Sequence, residues 1–436
     1  MRAAVLFALV GLLFLLEALT GSWNTMLGIF NMALVSAIMA LGVNMQWGYA
    51  GLFNVGIVGF VALGGLAPVL ISIPPNHEAL AAGGWRIPVA LLVGVLAIIA
   101  AILVYGRTRG RLRGIAVTAI LIGGFVLYRA IFDPAVEIVE TTNPSFAGNI
   151  GGLGINRIFG LHVGVLLAWP VGMLLAAGAA WVIGKIALGL RSDYLAIATL
   201  GIGEIIIAVL KNEDWLARGV KNMTNIPRPV PYEVDLQQST YWQGWAAAFG
   251  TDPVTFSTIF VKLCWMALFL VILLGIIWLS ERAINSPWGR MMRAIRDNET
   301  AAEAMGKDVT RRHLQIFVIG SAVCGLAGAM MVTMNGVLVP SEYTPLRYTF
   351  LVWVMVIVGG SGNNWGSVLG AFLIYYLYIK VGDWGPSLMH SLTAGMQPGP
   401  IKDHLVDSAA HMRMMTLGVI LLLVLRFSPR GLLPER

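Results

Sequence analysis

Phe256-Ser257-Thr258-Ile259-Phe260-Val261-Lys262-Leu263-Cys264-Trp265-Met266-Ala267-Leu268-Phe269-Leu270-Val271-Ile272-Leu273-Leu274-Gly275-Ile276-Ile277-Trp278-Leu279 carries one charge, Lys262. A helix needs about 20 mostly apolar residues to cross the hydrocarbon core of a bilayer. Segment 256–279 meets that requirement, and it has company. Comparable runs lie at 3–20, 26–46, 49–72, 86–105, 114–132, 162–184, 193–210, 312–336 and 411–427. The stretch 348–379 is too long for one simple span. It is interrupted at Gly359-Gly360-Ser361-Gly362-Asn363-Asn364, where Gly and Asn favour a turn, so it reads as two shorter helices. The predicted fold is an all-α polytopic transmembrane bundle of about 10–12 hydrophobic segments, some broken, forming one domain over residues 1–436.

Composition agrees. Only 12% of residues are charged, against about 25% in soluble chains, so most of the chain does not face water. The net charge of +7 is concentrated in short loops beside apolar runs. That placement sets orientation among membrane lipids and gives no reason to expect a nucleic-acid partner. Cys264 and Cys324 sit inside apolar runs without a CxxC or Cys/His cluster, so neither a disulfide nor a metal site is expected. The stretch from Met1 to Leu16 has signal-peptide features. No small-x-small cleavage site follows, and Glu17 interrupts it, which favours a retained first helix.

Loop charge gives an orientation. Arg107, Arg109, Arg111 and Arg113 crowd 106–113. Arg282, Arg290, Arg293, Arg296, Lys307, Arg311 and Arg312 crowd 280–312, and Arg426, Arg430 and Arg436 mark the tail. All three regions should be cytoplasmic. The segment count then places both termini inside and the longer loops 133–161, 211–255 and 380–410 outside. The stretches 111–120 and 190–200 look alike, but any basic loop entering an apolar helix has this appearance.

One cytoplasmic stretch has a helical design of its own: Ser286-Pro287-Trp288-Gly289-Arg290-Met291-Met292-Arg293-Ala294-Ile295-Arg296-Asp297-Asn298-Glu299-Thr300-Ala301-Ala302-Glu303-Ala304-Met305-Gly306. Ser286 can cap and Pro287 suits the first turn, while Gly306 ends the stretch. Met291, Met292, Ile295 and Ala302 can form an apolar face, with Arg290, Arg293 and Arg296 on a charged one. Such a helix can lie on lipid headgroups or dock into a groove on a cytoplasmic partner.

This stretch resembles the cytoplasmic coupling loop of branched-chain amino acid ABC permeases of the LivM type. The matching positions are Ser286, Pro287, Gly289, Arg290, Ala294, Ile295, Arg296, Asp297, Asn298, Glu299, Ala301, Ala302 and Gly306. Gly48-Tyr49-Ala50-Gly51-Leu52-Phe53-Asn54-Val55-Gly56 is similar to the family's Gly-rich broken helix, although Ile57 stands where the family often has His. The block from Leu190 to Glu204, the outer-loop block Asn225-Ile226-Pro227-Arg228-Pro229, and Pro429-Arg430-Gly431-Leu432 also fit. Section 107–165 fits poorly and looks like an insertion with an extra helix pair.

The resemblance implies a permease subunit of an ABC-type importer in a bacterial inner membrane. The solutes implied are branched-chain amino acids, with urea, short amides or other amino acids as alternatives. It implies a second related permease, two cytoplasmic ATPase subunits and a periplasmic solute-binding protein delivering to the outer loops. The ATPases would engage Ser286, Pro287, Gly289, Arg290, Arg293, Ala294, Arg296, Asn298, Glu299, Ala302 and Gly306. No GxxxxGK[ST] occurs, so no cofactor is expected in this chain; ATP would be bound by the partner subunits. No catalytic set is present, and an enzyme is not expected.

Candidates for a solute pathway are Asn54, Gly56, Glu204, Gly359 and Gly360. A carboxylate inside a span costs about 2.5–3.5 kcal/mol on insertion scales, so Glu204 either serves a pathway or bonds a neighbouring helix. The glycine breaks can bind a solute or allow close helix packing. Glu17, Arg129 and Lys262 near span ends read as interfacial, as do Trp23, Trp47, Trp85 and Trp384. A self-contained secondary transporter or channel is the rival class; it requires buried titratable groups, and Glu204 alone qualifies.

Overall fold

The computed structural model describes residues 2–142, 149–156, 162–190, 192–396 and 399–435. Met1, Arg191, residues 397–398, Arg436 and parts of the 133–161 connection lie outside the described residues. Among the described residues, twelve apolar helices carry the architecture. They are α1 (Arg2–Thr20), α2 (Trp23–Ala50), α3 (Ile57–Ser72), α4 (Arg86–Arg107), α5 (Arg111–Thr142), α6 (Ala168–Ala187), α7 (Ser192–Asn212), α8 (Pro253–Asn285), α11 (Val309–Asn335), α12 (Leu351–Gly359, preceded by a wider turn at Leu346–Phe350), α13 (Asn364–Thr393) and α14 (Met412–Phe427). Two short polar helices, α9 (Pro287–Asp297) and α10 (Glu299–Ala304), link α8 to α11. Nine helices among the described residues are long and apolar enough to cross a membrane singly. No strand occurs among the described residues beyond two isolated bridges. The chain is a multi-pass, all-α membrane protein.

Burial runs opposite to the order of a soluble bundle only at the periphery. α2 and α11 are buried along most of their length, and α3, α6 and α12 pack around them. Large apolar side chains on α1, α4, α5, α7 and α8 point outward, where lipid replaces water. Backbones in the centre touch. A Cβ on Gly64 of α3 would lie 1.9 Å from the Gly325 carbonyl of α11, and one on Gly328 would lie 2.0 Å from the Val61 carbonyl. Without a hydrophobic drive between helices in lipid, such small-residue contacts supply the dispersion energy of packing.

α4 and α5 form a separate hairpin. Ile87, Ala90, Phe132, Ala135 and Val139 make a small core of their own with Trp215, whose ring meets Phe132 edge-on at 5.5 Å. The remaining surface of the hairpin is almost wholly exposed. This hairpin begins at Arg86, ahead of the 107–165 section that the sequence singles out. The chain returns from it along the end of α3, where Leu153 and Ile155 donate to the Leu70 and Ile71 carbonyls at 2.8 Å.

Three expectations need correction. The break falls at 359–364 as expected, but the second helix, α13, has 30 residues and reaches Thr393, so 380–410 is largely helical. Charge at Lys380 and Asp383 hid this continuation. Lys380 Nζ is 2.7 Å from Glu17 Oε1, and both are mostly buried. Glu17 therefore does not reach out to the interface; it neutralises a lysine inside the bundle, as a charge at membrane depth must. Trp47 does not anchor at an interface either. It packs on Phe53 and Trp353 with centroids at 5.6 and 5.3 Å.

Candidate functional site

α9 is fixed at both ends by side chains. Ser286 accepts from Gly289 N at 3.3 Å, and Pro287 fills the first turn. Asn298 closes α9 and caps α10, accepting from Ala301 N at 2.9 Å. Gly306 has φ 75°, a left-handed conformation that glycine adopts without steric cost. The apolar face of α9 is turned inward: Gly289 and Met292 are buried against the chain's own α2 and α8 region, and Ile295 is buried towards α10 and α11. Neither lipid nor a partner groove can take that face. The free face is polar, with Arg290, Ala294, Asp297 and Asn298 exposed, followed by Glu299 and Gly306 on α10 and its end. Ala302 is buried beside Ile295 and Val309.

Arg293 and Arg296 point back into the protein. Arg293 donates to the Ile284 carbonyl at 3.4 Å. Arg296 donates to the Gly48 carbonyl at the end of α2, pairs with Glu435 at 2.8 Å, and reaches Asp297 at 3.1 Å. Partial burial works against the guanidinium charge. The bonds to Glu435 and then Asp297 outweigh it and hold Arg296 protonated more firmly than a free arginine. One side chain thus joins α9, α2 and the C-terminal tail.

That tail is tied down as well. Leu432 and Leu433 donate to the carbonyls of Val358 and Gly359 at 2.9 Å, and Asn363 donates to Pro434 O at 3.3 Å. Gly359 and Gly360 form the turn after α12, and Gly360 has φ 121°. Asn363 then caps α13, accepting from Trp365 N at 3.1 Å. Beside the turn, Asn364 links three helices. Its Oδ1 accepts from Asn44 at 3.2 Å and from the Tyr49 hydroxyl, and its Nδ2 donates to Glu281 at 2.9 Å. Asn44 in turn accepts from Gly362 N at 2.8 Å. A cavity of about 690 Å³ opens here, lined by Arg2, Tyr49, Glu281, Arg293, Asn364 and Glu435 among others. α9, the start of α1 and the tail therefore share one end of the bundle.

The 51–56 break is different. Asn54 is fully buried; it donates to Gln46 at 2.9 Å and accepts from Gly56 N at 2.9 Å. Gln46 donates to Phe317 O and Ser321 Oγ at 2.9 Å. Val55 N and Val58 N are taken by Thr199 and Thr349 at 3.1 Å. A Cβ on Gly56 would lie 2.3 Å from the Thr199 carbonyl. Glu204 is far from either arrangement in chemistry. It is exposed on the outer face of α7 beside exposed Ile197, Gly201 and Ile205, and its side chain has no partner among the described residues. The sequence candidates thus separate: Gly359 and Gly360 join the cavity end, Asn54 and Gly56 form an internal knot, and Glu204 looks outward. Asn44, Glu281 and Glu435 are absent from the sequence candidates, and Asn364 is read there only as a turn residue. Asn44 and Asn364 flank glycine breaks, which was the available signal.

The family model described as branched-chain amino acid transport system / permease component matches residues 145–425. The chain belongs to that family. Among curated relatives, this family member is similar to the high-affinity branched-chain amino acid transport system permease protein LivM of Salmonella typhimurium, with 30% identity over 285 residues. That match covers 64% of this chain and 59% of the relative, so only about three fifths of that protein is spanned. The probable LivM of Methanocaldococcus jannaschii is 24% identical over 405 residues, covering 92% of this chain and 90% of its own. The fructose import permease FrcC of Rhizobium meliloti is 26% identical over 109 residues, covering 24% of this chain and 30% of its own. No solved structure matches. The α4–α5 hairpin lies outside the part that the family model matches.

Proposed function

We propose that this permease component forms half of the membrane path of an ATP-driven importer for branched-chain amino acids. The observation that carries the reading is Arg296. It sits on the helix that follows α8 and bonds both the end of α2 and the tail strapped to the α12–α13 turn. A push on α9 would reach two broken-helix regions at once. Two ATPase subunits dock on the polar face, Arg290, Ala294 and Asp297 to Glu299, and supply ATP hydrolysis that this chain lacks. Arg2 and Glu435 line one cavity beside α9, and the basic loops support a cytoplasmic position for that end; the family resemblance is what suggests a bacterial inner membrane.

A second permease covers the face of α7 that presents Glu204. A carboxylate facing lipid at that depth costs about 2.5–3.5 kcal/mol, so protein or pathway water faces it instead. A periplasmic binding protein delivers solute at the opposite end. Purification tests the reading: the chain should bring down an ATPase and a related permease, and the reconstituted assembly should take up leucine only with ATP. A chain that transports alone, without an ATPase, would sink the proposal. Glu204→Gln should lower uptake at normal expression; unchanged uptake would reduce Glu204 to a replaceable contact.

A further inference from the structure

At the end opposite α9 a cavity of about 350 Å³ opens where α11 finishes. α11 has 27 residues, so at 1.5 Å per residue this cavity stands about 40 Å from the start of that helix. Its volume is near the lower edge of small-molecule sites, roughly 300–1,000 Å³. The lining includes Val332, Val337 and Val339 together with Glu342, Tyr343 and Tyr348. Tyr343 is 3% exposed, and its hydroxyl beside Gly65 of α3 has no hydrogen-bond partner among the described residues. Tyr343 and Tyr348 stack at a slant with centroids 5.3 Å apart. Glu342 pairs with Arg347 at 3.3 Å, and the Arg347 guanidinium is 5.3 Å from the Tyr348 ring centroid. The outer segment is pinned nearby, with Met223 bridged to Leu338 and Ile226 N donating to Gly336 O at 3.1 Å.

We infer that this cavity is the receiving site for a free, zwitterionic amino acid with a small apolar side chain. The ammonium group lies against Glu342 and the carboxylate against Arg347, while the side chain enters the space among Val332, Val337 and Val339. The template is the ion pair at the cavity's edge, of which Glu342 lines the cavity and Arg347 is its partner. The pair's side chains are 35% and 55% exposed, and exposed pairs contribute only about 0–1 kcal/mol. A ligand that brings both charges replaces that pair at small cost. Urea or a short amide brings neither charge and leaves the pair closed. The inference rests on the transport reading above and adds where the solute is first held and by which groups.

Site protection in the complete assembly tests it. Val337→Cys provides a reporter thiol, with Cys264 replaced by Ala, and labelling by a maleimide is followed with leucine present. Leucine at ten times its Kd should slow labelling about ten-fold, as 1 + [L]/Kd requires. Urea should give no protection, and adding Glu342→Gln should abolish the protection by leucine. If Val337→Cys fails to assemble, Val339→Cys serves as the reporter. Labelling that leucine leaves unchanged, in an assembly whose unaltered form takes up leucine, overturns the site and leaves the transport reading standing. Protection by urea equal to that by leucine overturns the zwitterion assignment. An unaltered assembly that takes up no amino acid overturns the transport reading and this site with it.

Discussion

Gly51–Gly56 and Gly359–Asn364 interrupt apolar helices with similar residues, yet they do opposite things. In the first break every polar side chain is spent inside the bundle. Asn54, Gln46, Thr199 and Thr349 pair with one another or with freed backbone groups, and Asn54 is fully buried. In the second, Asn363 and Asn364 hold a turn beside a cavity, next to Glu281, Glu435 and the arginines of α9. Backbone at membrane depth must be paired or must line a wet space. The two breaks take one solution each. A glycine cluster in a span therefore says that the helix stops, and leaves open whether the stop is sealed.

The largest effect should come from the sealed break. Gly56→Leu puts a side chain into the Thr199 backbone, where a Cβ already lies at 2.3 Å. Overpacking costs about 1–3 kcal/mol when side chains can give way, and backbone gives way less. We expect loss of monodisperse protein in detergent, read by size-exclusion chromatography. A stable, transporting G56L chain would mean that this break is not a rigid knot.

Asn54→Leu comes next. It strands Gln46 Oε1 and Gly56 N, each costing about 1–3 kcal/mol as an unsatisfied buried group. Thermal unfolding of the purified chain should shift down clearly, with uptake falling in proportion to folded protein. Uptake lost at unchanged stability would instead make Asn54 a pathway residue.

Which of these distinctions was legible beforehand depends on what each residue faces. The spans could be read because apolar runs respond to one uniform solvent, lipid, whatever their neighbours. The start of α9 could be read from Ser286-Pro287, and the break before α13 from the Gly and Asn residues of 359–364, since caps and turns act within a few residues. Lys380 misled because its partner Glu17 is more than three hundred positions away, so a charge that ends a span on paper is neutral in place. The inward turn of Met292 and Ile295 was likewise hidden: periodicity gives an apolar face but not its occupant. Arg293 and Arg296, expected on a docking surface, are half-buried for the same reason.

At the open break the effects should fall on coupling. Arg296→Ala removes the bonds to Gly48 O and Glu435, which cuts α9 from the tail and leaves it joined to α2 by packing alone. Hydrogen bonds to charged groups contribute about 1.5–3 kcal/mol, so ATP-driven uptake should fall about ten-fold or more while the chain stays folded. ATP hydrolysis should continue, uncoupled. Equal loss of hydrolysis and uptake would place Arg296 at the docking face, a role the exposed Arg290 should fill instead.

Glu435→Gln is the mildest test and the most discriminating. It keeps the shape of the tail and an acceptor for Arg296 but removes the charge 2.8 Å from Arg296 Nη1. The tail remains fastened through Leu432 and Leu433 to the end of α12, so stability should change by less than about 1 kcal/mol, as for partly exposed pairs. If the strap transmits motion mainly through those backbone bonds, uptake falls less than about two-fold and salt has little effect. If the charge itself carries the coupling, E435Q approaches the Arg296→Ala phenotype, and raising ionic strength in the unaltered protein weakens coupling in the same direction. The comparison of E435Q with R296A therefore separates a mechanical joint from an electrostatic one at the same turn.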